Sequence, residues 1–472
     1  MTAVDITPYS SAREMLRAME VGDISARELL DLHLDRIDQV NPGVNALVNL
    51  DPDRARLRAA EVDQARANGV PVGALAGLPI AFKDTHEVEG WVTSHGSVLR
   101  ATHVSDHDDL VIARLRAAGV VPLGRSNVPE FAVGGHTSNA LHGTTHNPYH
   151  LQRSAGGSSG GAAAALATGM IPIADGSDTG GSLRIPSSYC NVVGLRPSLG
   201  RVPTWPTLNA WETLSVSGPM GRTVADVAVL LSTMAGAACG VPQSLHTPAG
   251  LFDGRLSSDL EGLRVAVTSE VGAGMAIDAD IVTVVESVAT VASAGGALLE
   301  HAAPDLSGAL EVFSVLRAWH FHEKFGPMVA ANAESLGNSL VQNAAQGARL
   351  TGADVSRALV ERTRLLSAVL QFFERYDVLL MPVTQAVPFP VHLDYPEWAG
   401  GVPVRHYLDW VAPCTAITAI GCPALSLPAG FTADGLPIGV QLVAAPGHDR
   451  LLLDVAHALE ERLECASRRP PV

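Results

Sequence analysis

The chain has 472 residues, 47% of them hydrophobic and 17% charged, which is enough apolar surface to bury a large core and too much for a disordered chain. Its formal net charge of -16 opposes a phosphate-tracking surface, because nucleic-acid affinity rests on Lys and Arg neutralising phosphates. A small uncharged or cationic ligand fits this balance better than RNA or DNA.

In chain order, residues 1 to 70 read as a helical lead-in. Ser25 with Glu28 three residues on forms a capping box, and Leu29, Leu30, Leu32, Leu34 and Ile37 supply an apolar side. Residues 72 to 235 switch to short apolar strands alternating with helices and Gly-rich turns: a strand at 78 to 82, a helix at 110 to 118, a strand at 120 to 123. Such alternation predicts an α/β sheet domain. Residues 275 to 375 read as a helical cover, with one segment at 278 to 294 and several at 306 to 375, where Gly337 and Gly347 mark breaks. Residues 376 to 465 return to the sheet through apolar runs at 376 to 381 and 423 to 428, separated by a Pro-rich loop, and end on a helix at 449 to 463. No repeat of fixed period and no low-complexity tail interrupt this, so residues 1 to 472 are expected to form one domain.

Five cysteines, Cys190, Cys239, Cys414, Cys422 and Cys465, are odd in number and scattered, unlike a disulfide framework or a zinc cluster. His142, His146 and His150 are spaced by four, but Gly143 and Pro148 deny them a common helix face, so no metal is expected. The N-terminus carries Asp5 early and lacks a basic segment ahead of a leucine-rich core. No apolar run, the Ala-rich one after Gly161 included, reaches the roughly 20 residues of a membrane helix. A cytoplasmic protein bound to no membrane is expected.

Among 32 basic residues only Lys83 and Lys324 are lysines. Arginine stays protonated, whereas a desolvated lysine can lose its proton near neutral pH, so a lysine kept in the apolar setting before Lys83 points to a base. Residues 154 to 197 carry two Gly-Gly-Ser turns around one Ala-rich helix, ending on Ser158 and Ser182. Consecutive glycines let several N–H groups converge on one point, as an oxyanion hole requires. The stretch lacks the Gly-Lys-Ser or Gly-Lys-Thr of a P-loop and the separated glycines of a dinucleotide site. Gly156, Ser158 and Gly160 also match the nucleophile elbow of α/β-hydrolases, an alternative that makes Ser158 the nucleophile and calls on His448 and Asp377, yet leaves Lys83 and the second turn unused.

These residues resemble the amidase signature family of serine hydrolases. The resemblance is carried by residues 77 to 84 around Lys83, 123 to 131, 143 to 148, 156 to 161 and 175 to 201, and more weakly by 376 to 382 and 421 to 439. Ser158 lies 24 residues before Ser182, and Lys83 lies 75 before Ser158, as the family pattern has it. The resemblance implies an α/β fold with a large mixed β-sheet sandwiched between helix layers. It also implies a Ser-cisSer-Lys triad of Ser182 as nucleophile, Ser158 as relay after a cis bond, and Lys83 as base. Backbone N–H groups of Thr179, Gly180, Gly181 and Ser182 match its oxyanion hole, and Ser159, Asp178 and Arg184 match residues that support the triad by hydrogen bonding. Three positions depart from the pattern: Thr418 replaces a common Asn, and Arg125 and Arg196 replace a usual Lys.

The expected function is amide-bond hydrolysis through an acyl-enzyme, with no cofactor and with a small-molecule amide or carbamate as partner. Trp205, Trp211, Trp319, Phe321, Tyr395 and Trp398, with the Pro-rich loop at 382 to 403, suggest an apolar, open mouth. Hydrophobic aryl amides, with aryl carbamates (urethanes) beside them, are therefore expected ahead of glutamine or malonamate. The alternatives are the glutamine-hydrolysing subunit of a tRNA-dependent amidotransferase, and a non-catalytic binding protein on the same fold. Acyl and amine specificity are not legible, and the sequence leaves a homo-oligomer open.

Overall fold

The computed structural model describes residues 6–248, 250–270 and 276–472. Asp5 and the first residue assigned to the helical cover, at 275, lie outside the described residues.

The main sheet has eight strands in the order Leu298–His301, Arg264–Val267, Val378–Pro382, Pro437–Val443, Ala424–Phe431, Val193–Arg196, Val216–Gly221, Ile173–Asp178. The first three run parallel to one another and every later neighbour is antiparallel, so the sheet is mixed. Side chains along a strand alternate between faces. Val265, Val267, Val378 and Leu380 therefore share one core with Val285 and Val288 of the helix Ala279–Ala294 and Leu452 of Asp449–Leu463. Ala266, Leu379 and Met381 share another with Phe313 of Ala309–Asn332, Leu365 of Gly352–Arg375 and Ile417 of Ala412–Ile420. The sheet is thus sandwiched between helix layers, as the resemblance implied.

The lead-in folds as the helices Ala12–Val21, Ala26–Val44 and Pro52–Ala67, and the Ser25–Glu28 capping box is formed. Its short strand Leu47–Val48 joins Val121–Ser126 and Pro79–Lys83 in a second, three-stranded sheet. In the helical cover, Gly337 caps the helix Asn338–Gly347 and Gly347 ends it. Three strands of the main sheet escape the sequence reading. Arg264–Val267 and Leu298–His301 have only four residues each, and the second is an edge strand with Leu298 at 62% exposure. Pro437–Val443 is buried along its whole length, so it shows no alternation.

Between the two sheets lies the helix Gly160–Ala167, every residue of which is buried. A helix apolar all round belongs inside a core. Its small residues permit close approach: a Cβ on Gly161 would stand 2.3 Å from Asn127 N and 2.5 Å from Ala46 O, both backbone atoms. Helix propensity alone favours Ala over Gly by about 1 kcal/mol. The clash outweighs it, and Gly161→Ala is expected to lower stability by about 1–3 kcal/mol. Denaturant unfolding checks this; an unchanged or higher midpoint would contradict the packing described.

Candidate active site

Lys83 ends the strand Pro79–Lys83, all five residues of which are buried. Its Nζ donates to Ser158 Oγ at 2.9 Å and to Ser177 Oγ at 2.9 Å. Burial pushes the ammonium down to about 7, against the opposing pull of the Asp175 and Asp178 carboxylates. Ser158 follows a cis Gly157–Ser158 peptide bond. The turn that carries it is pressed against its surroundings, since a Cβ on Gly156 would meet Pro186 Cα at 2.9 Å and one on Gly160 would meet Thr137 Oγ1 at 2.3 Å.

Ser182 sits in the turn between the strand Ile173–Asp178 and the helix Arg184–Tyr189, and its carbonyl accepts from Ser159 N–H at 3.2 Å. It stays partly exposed while residues 183 to 190 are all buried. Among the described residues nothing bonds to Ser182 Oγ, so no hydrogen bond joins it to Ser158 in this structure. Of the four N–H groups matched to an oxyanion hole, that of Gly181 donates to Asp178 Oδ1 at 2.9 Å and is not offered to the cavity. Those of Thr179, Gly180 and Ser182 carry no internal partner among the described residues. Gly181 itself has φ of +116°, and a Cβ there would lie 2.8 Å from Cys414 Cβ.

Asp178 organises this turn. It accepts from Gly181 N, Leu183 N, Arg184 Nε at 2.9 Å and Arg184 Nη2 at 2.8 Å, while Arg196 Nη1 lies 3.2 Å from Oδ1. Burial alone would raise its carboxyl, but the guanidinium of Arg184, then that of Arg196, hold it well below the usual carboxylate range. Arg184 also donates to Cys414 O, Gln441 Oε1 and Thr418 Oγ1. Thr418 is therefore packed behind Arg184 and does not line the substrate cavity. Ser159 reaches Ser182 through its backbone N–H, while its buried Oγ has no partner among the described residues.

The elbow alternative is not assembled. Asp377 pairs with Arg264 Nη2 at 2.6 Å, the exposed His448 faces Pro446 O, and neither lines the cavity. Residues that sequence reasoning missed are Ser177, Asp175, His86 and Ser217. Asp175 and Ser177 alternate in the strand Ile173–Asp178, which opens on the buried apolar pair Ile173 and Ala174 and ends on Asp178, and polar groups inside a largely buried strand are a legible signal, because they need partners.

A cavity of about 590 Å³ opens over Ser182, reached by Gly157, Ser177, Thr179 and Gly180. A sequence profile of the family described as Amidase matches residues 28–453. The chain belongs to the amidase signature family. It is an amide hydrolase. An acylamidase from Rhodococcus erythropolis is 35% identical over 465 residues, covering 98% of this chain and 97% of the relative. A glutamyl-tRNA(Gln) amidotransferase subunit from Synechococcus sp. (strain CC9605) is 34% identical, covering 96% of each chain. Among solved structures, a bacterial aryl acylamidase of the same family superposes with a TM-score of 0.90 at 26% identity, covering 98% of this chain and 99% of its own.

The amidase cavity departs from the expected apolar mouth. Trp205 and Phe321 line it, with Phe131, Ile185, Phe325 and Met328, but Glu87, Arg100, Asp109, Glu212, His320 and Lys324 line it too. Trp319 borders a separate surface groove, and Trp211, Tyr395 and Trp398 lie outside the cavity. No residue from 382 to 403 reaches it, because Val383, Ala386 and Phe389 are buried against Tyr189 and Trp410. Asp178→Ala in this amidase leaves two buried guanidinium groups without their counter-ion. Such losses cost about 3–5 kcal/mol, to be read as a lower denaturant midpoint; an unchanged midpoint would contradict the role given to Asp178.

Proposed function

We propose that this amidase cleaves amides through an acyl-enzyme on Ser182, with Ser158 relaying protons to and from Lys83. The observation that carries the reading is the 2.9 Å contact of Lys83 Nζ with Ser158 Oγ, buried together so that the amine is brought to about 7. Neutral Lys83 takes the Ser158 proton as Ser158 takes that of Ser182, and the Ser182 oxygen attacks the carbonyl. The developing oxyanion faces the N–H groups of Thr179, Gly180 and Ser182, and Ser158 hands a proton to the departing nitrogen. Water then repeats the cycle on the acyl-enzyme. The active form carries the neutral amine, so kcat/KM rises with pH through a midpoint near 7. Lys83→Arg keeps the charge but cannot give up the proton, and is expected to lose at least about a hundredfold in turnover, the lower end of what general acid–base catalysis supplies. An arginine variant with near wild-type turnover would sink the mechanism.

For substrate, we propose hydrophobic or aryl amides, with aryl carbamates as further substrates, because the relay protonates any poor nitrogen leaving group. Support comes from the walls formed by Phe131, Phe321 and Phe325, and from the acylamidase and aryl acylamidase among the similar proteins. The charged groups Asp109, Glu212 and Lys324 in the same cavity favour a second reading, glutamine hydrolysis, in line with the name of the similar amidotransferase. Specificity constants on a nitroanilide, an aryl carbamate and glutamine decide between them. We expect glutamine to be the poorest; a larger constant for glutamine than for both others would replace the first reading by the second.

A further inference from the structure

The strand Ile173–Asp178 places Asp175 beside Ser177, on the side facing Lys83, yet Asp175 takes no part in the relay. Its carboxylate is fully buried. Oδ1 accepts the backbone N–H of Lys83 at 3.1 Å, and Oδ2 accepts from His86 Nδ1 at 2.6 Å. The other ring nitrogen of His86, Nε2, lies 3.3 Å from Ser217 Oγ. Ser217 stands directly across the antiparallel ladder from Ser177, whose Oγ accepts from Lys83 Nζ. Opposite residues in such a ladder share a face. A chain of bonds therefore leaves the Lys83 backbone, passes through Asp175 and His86, and ends beside the Lys83 amine. The turn that joins Lys83 to His86 is closed by His86 N–H to Lys83 O at 3.0 Å, and both residues' carbonyls accept from Arg125 Nη2.

Charges around Lys83 come from several elements. Asp175 and Asp178 belong to the strand Ile173–Asp178, Asp84, His86 and Glu87 follow Lys83, and Arg125 comes from the strand Val121–Ser126. Asp109 precedes the helix Leu110–Ala117, and Arg184 and Arg196 lie behind Asp178. Asp84 is paired with Arg125, Glu87 with Arg100, and Asp178 with Arg184 and Arg196. Of the two carboxylates acting on Lys83, Asp175 has no guanidinium within ion-pair distance among the described residues; its ion-pair partner there is His86, and the buried Arg125 guanidinium acts on it from farther off. A neutral acceptor would serve the Lys83 N–H equally well. A carboxylate does more, because a negative charge near an amine favours its protonated form.

We propose that Asp175 and His86 are a positioning pair for Lys83: the carboxylate fixes the lysine backbone and sets a negative charge beside its amine, and the imidazole holds the carboxylate there and offsets part of that charge. This rests on the reading of Lys83 as the base, and it adds what governs how readily that base is available. The pair raises the share of Lys83 that carries a proton, so it limits activity on the acid side while fixing the geometry that the relay needs.

The two-lysine composition makes the test direct. Protein labelled with 13C at lysine Cε gives two signals, assigned with Lys324→Arg, and each can be titrated without reference to catalysis. We expect Asp175→Asn, which keeps the acceptor for the Lys83 N–H, to lower the Lys83 midpoint by about one to two pH units. His86→Leu, which leaves the carboxylate without its imidazole, is expected to raise it, and the acid limb of kcat/KM is expected to move with the NMR midpoint in both variants. A Lys324 signal at its wild-type position shows that each variant is folded. A Lys83 midpoint in Asp175→Asn that is unchanged or raised overturns the charge assigned to Asp175, and one in His86→Leu that is unchanged or lowered overturns the part assigned to His86. A wild-type Lys83 titrating near the ordinary lysine value of about 10.4 would instead sink the reading of Lys83 as a neutral base, while the differences between variants and wild type still decide the pairing.

Discussion

The contact between Lys83 Nζ and Ser158 Oγ joins two segments 75 residues apart, the end of one buried strand and a glycine turn ahead of a buried helix. Its chemistry depends on keeping water out. Moving the amine from 10.5 to about 7 corresponds to a net penalty of about 5 kcal/mol on the charged form, burial outweighing the pull of Asp175 and Asp178, and that is a large part of the roughly 5–15 kcal/mol by which domains are stable. A cost of that size is tolerable only inside a scaffold that fixes the surrounding groups. That explains the close packing on both glycine turns, where neither Gly160 nor Gly181 has room for a side chain.

The scaffold has its own electrostatic centre. Asp178 gathers Arg184 and Arg196 and two backbone N–H groups, and Arg184 extends the network to Gln441 on the strand Pro437–Val443 and Thr418 on the helix Ala412–Ile420. The turn bearing Ser182 is thereby tied to the middle of the main sheet. Arginine suits such work because it stays charged and offers a planar fork of donors. Arg125 and Arg196 stand in this structure as fully or almost fully buried clamps on backbone carbonyls. In the mechanism proposed above, Lys83 has the opposite task, which is to lose its charge on demand.

Much of this was legible in the sequence, for identifiable reasons. The Ser25–Glu28 box, the breaks at Gly337 and Gly347 and the last helix follow from local capping and periodicity, which need no tertiary information. The Gly-Gly-Ser turns around Ser158 and Ser182 and the lysine kept at the end of an apolar run are also local signals. What escaped was decided by packing between distant segments. The strand Pro437–Val443 is buried on both faces and so has no period to read. The Pro-rich segment looked like a mouth but its Val383 and Phe389 belong to a core with Trp410. The charged lining of the cavity comes from segments more than 200 residues apart, Glu87 and Lys324 among them. Asp175 and His86 are 89 residues apart, and only the fold makes them partners.

Which serine attacks is the central point of the proposed mechanism. Ser158 sits in the more familiar-looking motif, but it is the one bonded to Lys83, whereas Ser182 lies in the cavity beside the N–H groups of Thr179 and Gly180. Labelling with a fluorophosphonate, followed by peptide mapping in the mass spectrometer, separates the two. The adduct is expected on Ser182, and in Ser158→Ala it is expected on the same residue but formed far more slowly. An adduct on Ser158 would contradict the assignment of nucleophile and relay.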